Sequence, residues 1–295
     1  MANTVTTTYA GEFSQKYIAA ALLAAKTIDN LTVHPNVNGK WVTKKYTNTV
    51  DFDNLSCASS FKENMALTEM ILDPKQLQWQ FKLCKKDYLA DWEAMQMGFG
   101  NNRTLPPTME QFMLEQTAAQ MTAKIEQLVW QGAVATDGEF DGLYSQFSAI
   151  DVQGAVITAG NVITEMNKVL NAIPTTVKSQ RSNDLVIYVP TSVMFFYIQA
   201  QAALGAYDAF YERVAQPTFL GIPLIECPGM LDNTMVAGQK SNFHFATGLL
   251  SNFTDIKVID RSEIDASEEV YVSIKFSGDT AIGYENDAVY YAYES

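Results

Sequence analysis

The sequence predicts an α+β fold, and three observations carry that prediction. Gln76–Cys84 alternates Leu77, Trp79, Phe81 and Leu83 with Gln76, Gln78, Gln80 and Lys82. A period of two fits a strand with one buried face. Far along the chain Val270, Val272, Ile274 and Phe276 alternate with Tyr271, Ser273 and Lys275 in the same way. Between these strands Leu114, Ala118, Met121, Ile125 and Leu128 step by 4, 3, 4 and 3, which lays one apolar stripe along a helix. No internal repeat or low-complexity linker separates the pieces, so the chain reads as two interleaved bodies rather than domains in series.

Taken in order, residues 1–10 are Thr-rich and polar, which reads as a flexible arm. Gly11–Ile28 places Phe13, Tyr17, Ala21, Ala24 and Ile28 on one face of a short amphipathic helix, which Val33-His34-Pro35 breaks. Asn38-Gly39 is a hairpin-type turn signal ahead of Trp41–Val50, a run rich in β-branched and aromatic residues but polar on both faces. It reads as a ribbon standing away from the body and continuing to Leu72. After the Gln76–Cys84 strand, Asp87 caps a helix with Tyr88, Trp92 and Met95 on one side, and Gly98–Thr104 is a loop.

Pro106-Pro107-Thr108 opens the longest helix, with Thr108 as N-cap, Gln111 as its capping-box partner and Gly132 as the C-terminal stop. A helix of ~23 residues spans ~35 Å. Its stripe faces Ile125 inward and leaves Glu126 on the solvent side. Asn161–Ala172 is a further helix, ended by Pro174. Leu185–Val189 is wholly apolar, a central strand. Pro190-Thr191 starts a helix over Ser192–Leu204, with Thr191 as N-cap. Ile222–Ile225 is a buried strand broken by Pro223, followed by turns at Cys227-Pro228-Gly229 and Leu231-Asp232-Asn233 and a short strand at Met235–Ala237.

Composition narrows the function. At 295 residues, with 47% hydrophobic and 18% charged residues, the chain can build a sizeable core and is not disordered. The formal charge is −13, and the 20 Lys and Arg are scattered, with no cluster longer than Lys44-Lys45 or Lys85-Lys86. That disfavours a nucleic-acid-binding module, whose affinity rests on phosphate neutralisation. Cys57, Cys84 and Cys227 are odd in number and widely spaced, as reduced thiols of a cytosolic protein are. No secretory signal opens the chain, and its longest apolar run, Tyr17–Ala25, is far shorter than the ~20 residues of a membrane helix.

Motifs that would carry catalysis fail on spacing. His34 and His244 stand isolated, with no paired carboxylate or thiol at metal-ligand spacing. Gly238-Gln239-Lys240-Ser241 lacks the glycine before lysine of a phosphate-binding loop and reads as a turn after a strand. Neither a G-x-S-x-G elbow nor a G-x-G-x-x-G fingerprint occurs. The acid pairs Asp51/Asp53, Asp137/Asp141 and Glu268/Glu269 miss the calcium-loop spacing and sit beside turn residues. The expectation is no enzyme, no cofactor and no metal.

Thr218–Leu250, reading TFLGIPLIECPGMLDNTMVAGQKSNFHFATGLL, resembles the late axial-domain segment of tailed-phage major capsid proteins of the Hong Kong 97 type. The segment leads toward a strand at Asp255–Asp260, as it does in that family. Asp137-Gly138-Glu139-Phe140-Asp141-Gly142-Leu143 resembles the family's turn after its long spine helix. The resemblance covers nearly the whole chain in order.

It implies a Hong Kong 97-type capsid fold with an N-terminal arm and short helix (1–35) and an extended E-loop ribbon (36–75). A peripheral domain would comprise 76–150 and 252–282 with the spine helix at 108–131, and an axial domain 151–251 and 283–295. The implied function is a major capsid protein that assembles as hexamers and pentamers into an icosahedral shell around double-stranded DNA, in the host cytoplasm and then in the virion. An acidic wall suits DNA that is enclosed without specific binding.

Implied partners are other copies of the chain, a portal and a decoration protein. The start at Met1-Ala2-Asn3, directly at the arm, favours a separate scaffolding protein. The ribbon's Trp41, Val42, Lys44, Tyr46 and Val50 are the expected self-assembly interface. Some relatives cross-link a ribbon lysine to a neighbouring asparagine. Lys40, Lys44 and Lys45 lie in the right region, yet lysines on an exposed strand ordinarily protect its edge, so no cross-link is expected. The competing readings are an encapsulin-type nanocompartment shell protein and a cytosolic enzyme.

Overall fold

A computed structural model describes residues 26–48, 52, 54, 65–84, 120–179, 184–203, 217–248, 257–261, 267 and 269–293. The arm, the helix expected after Asp87, the Thr108 cap with Gln111, Leu114 and Ala118, and Val50 lie outside these residues.

The mixed helix and sheet class is as expected. One five-stranded sheet has the order β1 (Thr32–Pro35), β10 (Phe243–Thr247), β12 (Glu269–Ile282), β11 (Lys257–Asp260), with β4 (Lys75–Cys84) also on β12. The two alternating segments read from sequence are partners here. β4 and β12 run antiparallel from Glu269↔Cys84 to Gly278↔Lys75. Val270, Val272, Ile274 and Phe276 are buried, because one face of this ladder is covered by helix α1 (residues 120–131).

A six-stranded sheet runs β5 (Val152–Gln153), β13 (Val289–Ala292), β9 (Thr234–Gln239), β6 (Leu185–Val189), β8 (Ile222–Glu226), β7 (Thr218–Phe219). Its centre is β6, parallel to β8 and antiparallel to β9. All five of its residues are buried, the condition for an uninterrupted apolar strand. Helices α2 (Val162–Ala172), α3 (Thr175–Ser179) and α4 (Thr191–Ala203) contribute Val162, Met166, Val169, Val177, Val193 and Tyr197 to this sheet's core.

Four local expectations are corrected. β8 runs unbroken through Pro223, since its ladder with β6 begins at Leu224 and Pro223 pairs only with Thr218 of β7. The missing N–H therefore costs no central bond. The β7–β8 hairpin turns on Leu220 (φ 49°) and Gly221 (φ 82°), the two positive dihedrals of a type I′ turn. Thr191 does not cap α4: it lies within the helix, and its hydroxyl donates to Glu226 Oε1 at 3.0 Å. His34 and His244 are not isolated, because parallel pairing of β1 with β10 brings them to Nε2···Nδ1 3.0 Å.

The fourth correction concerns Glu126. Met121, Ile125 and Leu128 are buried as the stripe requires, but Val129 and Trp130 are fully buried too, and Glu126 is only 5% exposed. The end of α1 is covered on two sides rather than one. The second cover is residues 26–31 and the 227–230 turn, neither of which a helical period reveals. The Glu126 carboxylate accepts from Thr27 N (3.3 Å) and from the Thr27 hydroxyl. Trp130 Nε1 in turn donates to Thr27 Oγ1 at 2.9 Å. A Cβ on Gly229 would lie 2.0 Å from the Glu126 carbonyl oxygen, so only glycine lets that turn approach the helix backbone. Burial raises the Glu126 carboxyl above its ordinary range, against the Thr27 bonds.

Candidate functional site

β2 (Trp41–Asn48) and β3 (Met65–Leu72) form a separate two-stranded ribbon. Their antiparallel register pairs Trp41 with Leu72, Val42 with Ile71, Lys44 with Glu69 and Tyr46 with Leu67. Directly opposed residues share a face. One face thus carries Trp41, Thr43, Lys45, Met70 and Leu72, and the other carries Val42, Lys44, Tyr46, Met65, Leu67, Glu69 and Ile71.

The two faces meet different surroundings. Met70 and Leu72 are 4% and 0% exposed, packed with Ala246, Ala281, Val37 and Trp41. On the other face Val42 is 45% exposed, Tyr46 49%, Ile71 48%, and Met65 and Leu67 63% each. Five large apolar side chains therefore stand in solvent on one side of one element, interrupted by the opposed charges of Lys44 and Glu69. Scattered apolar exposure is ordinary; a contiguous stripe marks a contact surface.

The ribbon root is tied to the body by polar and aromatic contacts. The Trp41 ring lies 4.1 Å from that of His34, which meets His244 behind it. Burial, with His34 and Lys45 adding, pushes His244 down to about 4, and burial lowers His34. Asp73, just after β3, donates its N–H to Asp279 Oδ2 at 2.7 Å. Burial raises the Asp279 carboxyl to about 6, and the Asp141 and Asp73 carboxylates add to the shift.

Of the expected interface residues, Val42, Lys44 and Tyr46 lie on the exposed face, whereas Trp41 turns to the body. The sequence reading missed Met65, Leu67 and Ile71. Their signal was a period of two along Met65–Leu72, obscured because Ala66, Met70 and Leu72 fill the alternate positions with apolar residues as well.

A cleft of about 440 Å³ opens between α1 and the β4–β12 ladder, lined by Leu77, Trp79, Met121, Ile125, Leu128 and Phe276 among others. Among the described residues, none of the groups whose titration is shifted lines it. Among the described residues no three His, Cys, Asp or Glu side chains gather where a metal ion could be held. Among them, too, no helix is long and apolar enough to cross a membrane. The arrangement can bury apolar surface.

No family model matches the chain, and no curated protein does. Solved structures do. A structure from Gordonia phage Cozz aligns with a TM-score of 0.62 at 10% identity over 92% of this chain and 87% of that one. The capsid of the native GTA particle aligns with a TM-score of 0.58 at 10% identity, over 92% and 90%. A virus-like particle from Pyrococcus furiosus aligns with a TM-score of 0.53 at 9% identity, over 95% and 98%. At such identities the likeness is one of fold.

Proposed function

From a chain that has the Hong Kong 97-type capsid fold, we infer a major capsid protein of a tailed phage, whose copies associate into an icosahedral shell enclosing double-stranded DNA. The observation that carries this reading is the uncovered apolar face of the β2–β3 ribbon. A two-stranded ribbon is marginal in water by itself, and an exposed stripe of Val, Tyr, Met, Leu and Ile gains its stabilisation when a neighbouring copy covers it. The working place is then the virion, and scaffolding, portal and decoration proteins are the partners the reading brings with it. In this reading the β4–β12 ladder with α1 is the peripheral domain and the six-stranded sheet the axial domain.

Negative-stain microscopy of the purified protein tests the proposal. Closed, regular shells are the expected result, and a monomer at high concentration without particles would overturn it. A second reading, a protein-filled shell of the encapsulin type, is favoured by the likeness to the Pyrococcus furiosus particle. Small closed particles containing protein and no nucleic acid would decide for it.

A further inference from the structure

We propose that Tyr284 is the brace that sets the direction in which the ribbon presents its apolar face. The inference rests on the shell-protein reading and names the residue that positions its interface. Three attachments hold the ribbon near its root: Met70 and Leu72 packed on Ala246 and Ala281, Trp41 against His34, and the Asp73 N–H on Asp279. A pair of strands fixed only there can pivot as a lever.

The Tyr284 hydroxyl makes a further attachment, farther out than these. It accepts from Tyr46 N at 3.0 Å and donates to Tyr46 O at 2.9 Å. Five residues of extended chain separate Tyr46 from Trp41, about 17 Å along the strand. Both main-chain groups of Tyr46 are thereby engaged on the edge of β2 away from β3. The Lys45 ammonium sits 5.9 Å from the Tyr284 ring centroid, a second contact from the same strand.

Tyr284 is itself held in place. Asn242, 7% exposed, accepts from Tyr284 N through Oδ1 at 2.6 Å and donates Nδ2 to Tyr284 O at 2.8 Å. Gly283 N donates to Asn242 O at 2.8 Å. A buried amide with its acceptor and a donor committed to one residue's backbone fixes where that residue's side chain begins. The Tyr284 side chain, 38% exposed, contributes little to the core. A phenol that adds so little burial, yet is fixed by a buried asparagine and bonded to a strand belonging to another sheet, acts by position.

The test is Tyr284→Phe, which keeps the ring over Lys45 and removes the hydroxyl. On the dispersed protein, hydrogen exchange at the Tyr46 amide should quicken about tenfold, the loss of one net hydrogen bond. Exchange at the Trp41–Leu72 end and the melting temperature should not change. Under assembling conditions the variant should yield fewer and less regular shells than the wild type. Unchanged exchange at Tyr46 would overturn the brace. Faster exchange with shells as regular as the wild type's would overturn its part in orienting the interface. If exchange responds but the wild type itself never assembles, the brace stands and the shell-protein reading falls instead.

Discussion

At the ribbon root two titrating residues act on stability in opposite senses over nearly the same pH range. Asp279 has its folded value raised from 3.8 to about 6, so the folded state binds more protons than the unfolded chain between those values. Its contribution is present in acid and is lost as pH rises through about 6. His244 has its folded value lowered from 6.5 to about 4; its contribution is present above 6.5 and is lost as pH falls toward 4. Single variants separate the two. Asp279→Asn, whose amide oxygen still accepts from Asp73 N, should raise the melting temperature at neutral pH and leave it unchanged near pH 3. His244→Gln should shrink the loss of melting temperature on acidification from neutral pH to about 4. Thermal melts across this range check both, and an Asp279→Asn gain larger in acid than at neutrality would refute the assigned sign. Elsewhere in the core, Glu126→Ala leaves the Thr27 N–H and hydroxyl without their buried acceptor, at a cost of about 1–3 kcal/mol. Ile125→Ala removes buried surface at about 2–5 kcal/mol, toward the lower end because the cleft already opens beside it. Denaturant titration should therefore show comparable losses for two adjacent residues on different faces of one helix.

On the scale of elements, the ribbon is where the proposed assembly can be tested apart from stability. Leu67→Glu and Ile71→Glu change side chains that are 63% and 48% exposed, so the isolated chain should lose within about 0.5 kcal/mol. The same changes place charge in the surface a neighbour would bury, and particles should not form in microscopy of either variant. Shortening the ribbon to a Gly-Ser turn should likewise leave a folded body that builds no shells. Regular particles from the shortened chain would show that the ribbon takes no part in assembly. The ribbon's extended, β-branched character was legible in Trp41–Val50, but its apolar face was not, because a strand face is completed by its partner. Read alone, β2 offers Val42, Lys44 and Tyr46; the register with β3 sets Ile71, Glu69 and Leu67 beside them. The alternation of β12 was legible because Val270, Val272, Ile274 and Phe276 are buried along one face; on β4 the same pattern places Leu77 and Phe81 half-buried against that core, with Trp79 left 40% exposed at the cleft. Helix α1 was half legible. Its stripe identified the side toward the sheet, while the side toward Thr27 and Gly229 is covered by segments about a hundred residues away in sequence.

For the whole molecule, a chain of charge −13 packed in many copies repels itself, and salt screens exposed charges over about 10 Å at 0.1 M. Assembly of empty particles, followed by light scattering, should improve as salt rises from very low values. A flat or falling response would point to interfaces dominated by ion pairs such as one made by Lys44 or Glu69. By itself the sequence determined the α+β class, the central strand Leu185–Val189 and the strands β4 and β12. It did so because these features are local: side chains at fixed spacing meet one environment, and a period records it. Only the tertiary structure decided that His34 faces His244, that Glu126 is buried, that the exposed ribbon face is apolar and that Tyr284 holds Tyr46. Each of these joins residues distant along the chain, and no period along one segment encodes what a strand register or a helix's second neighbour brings to it.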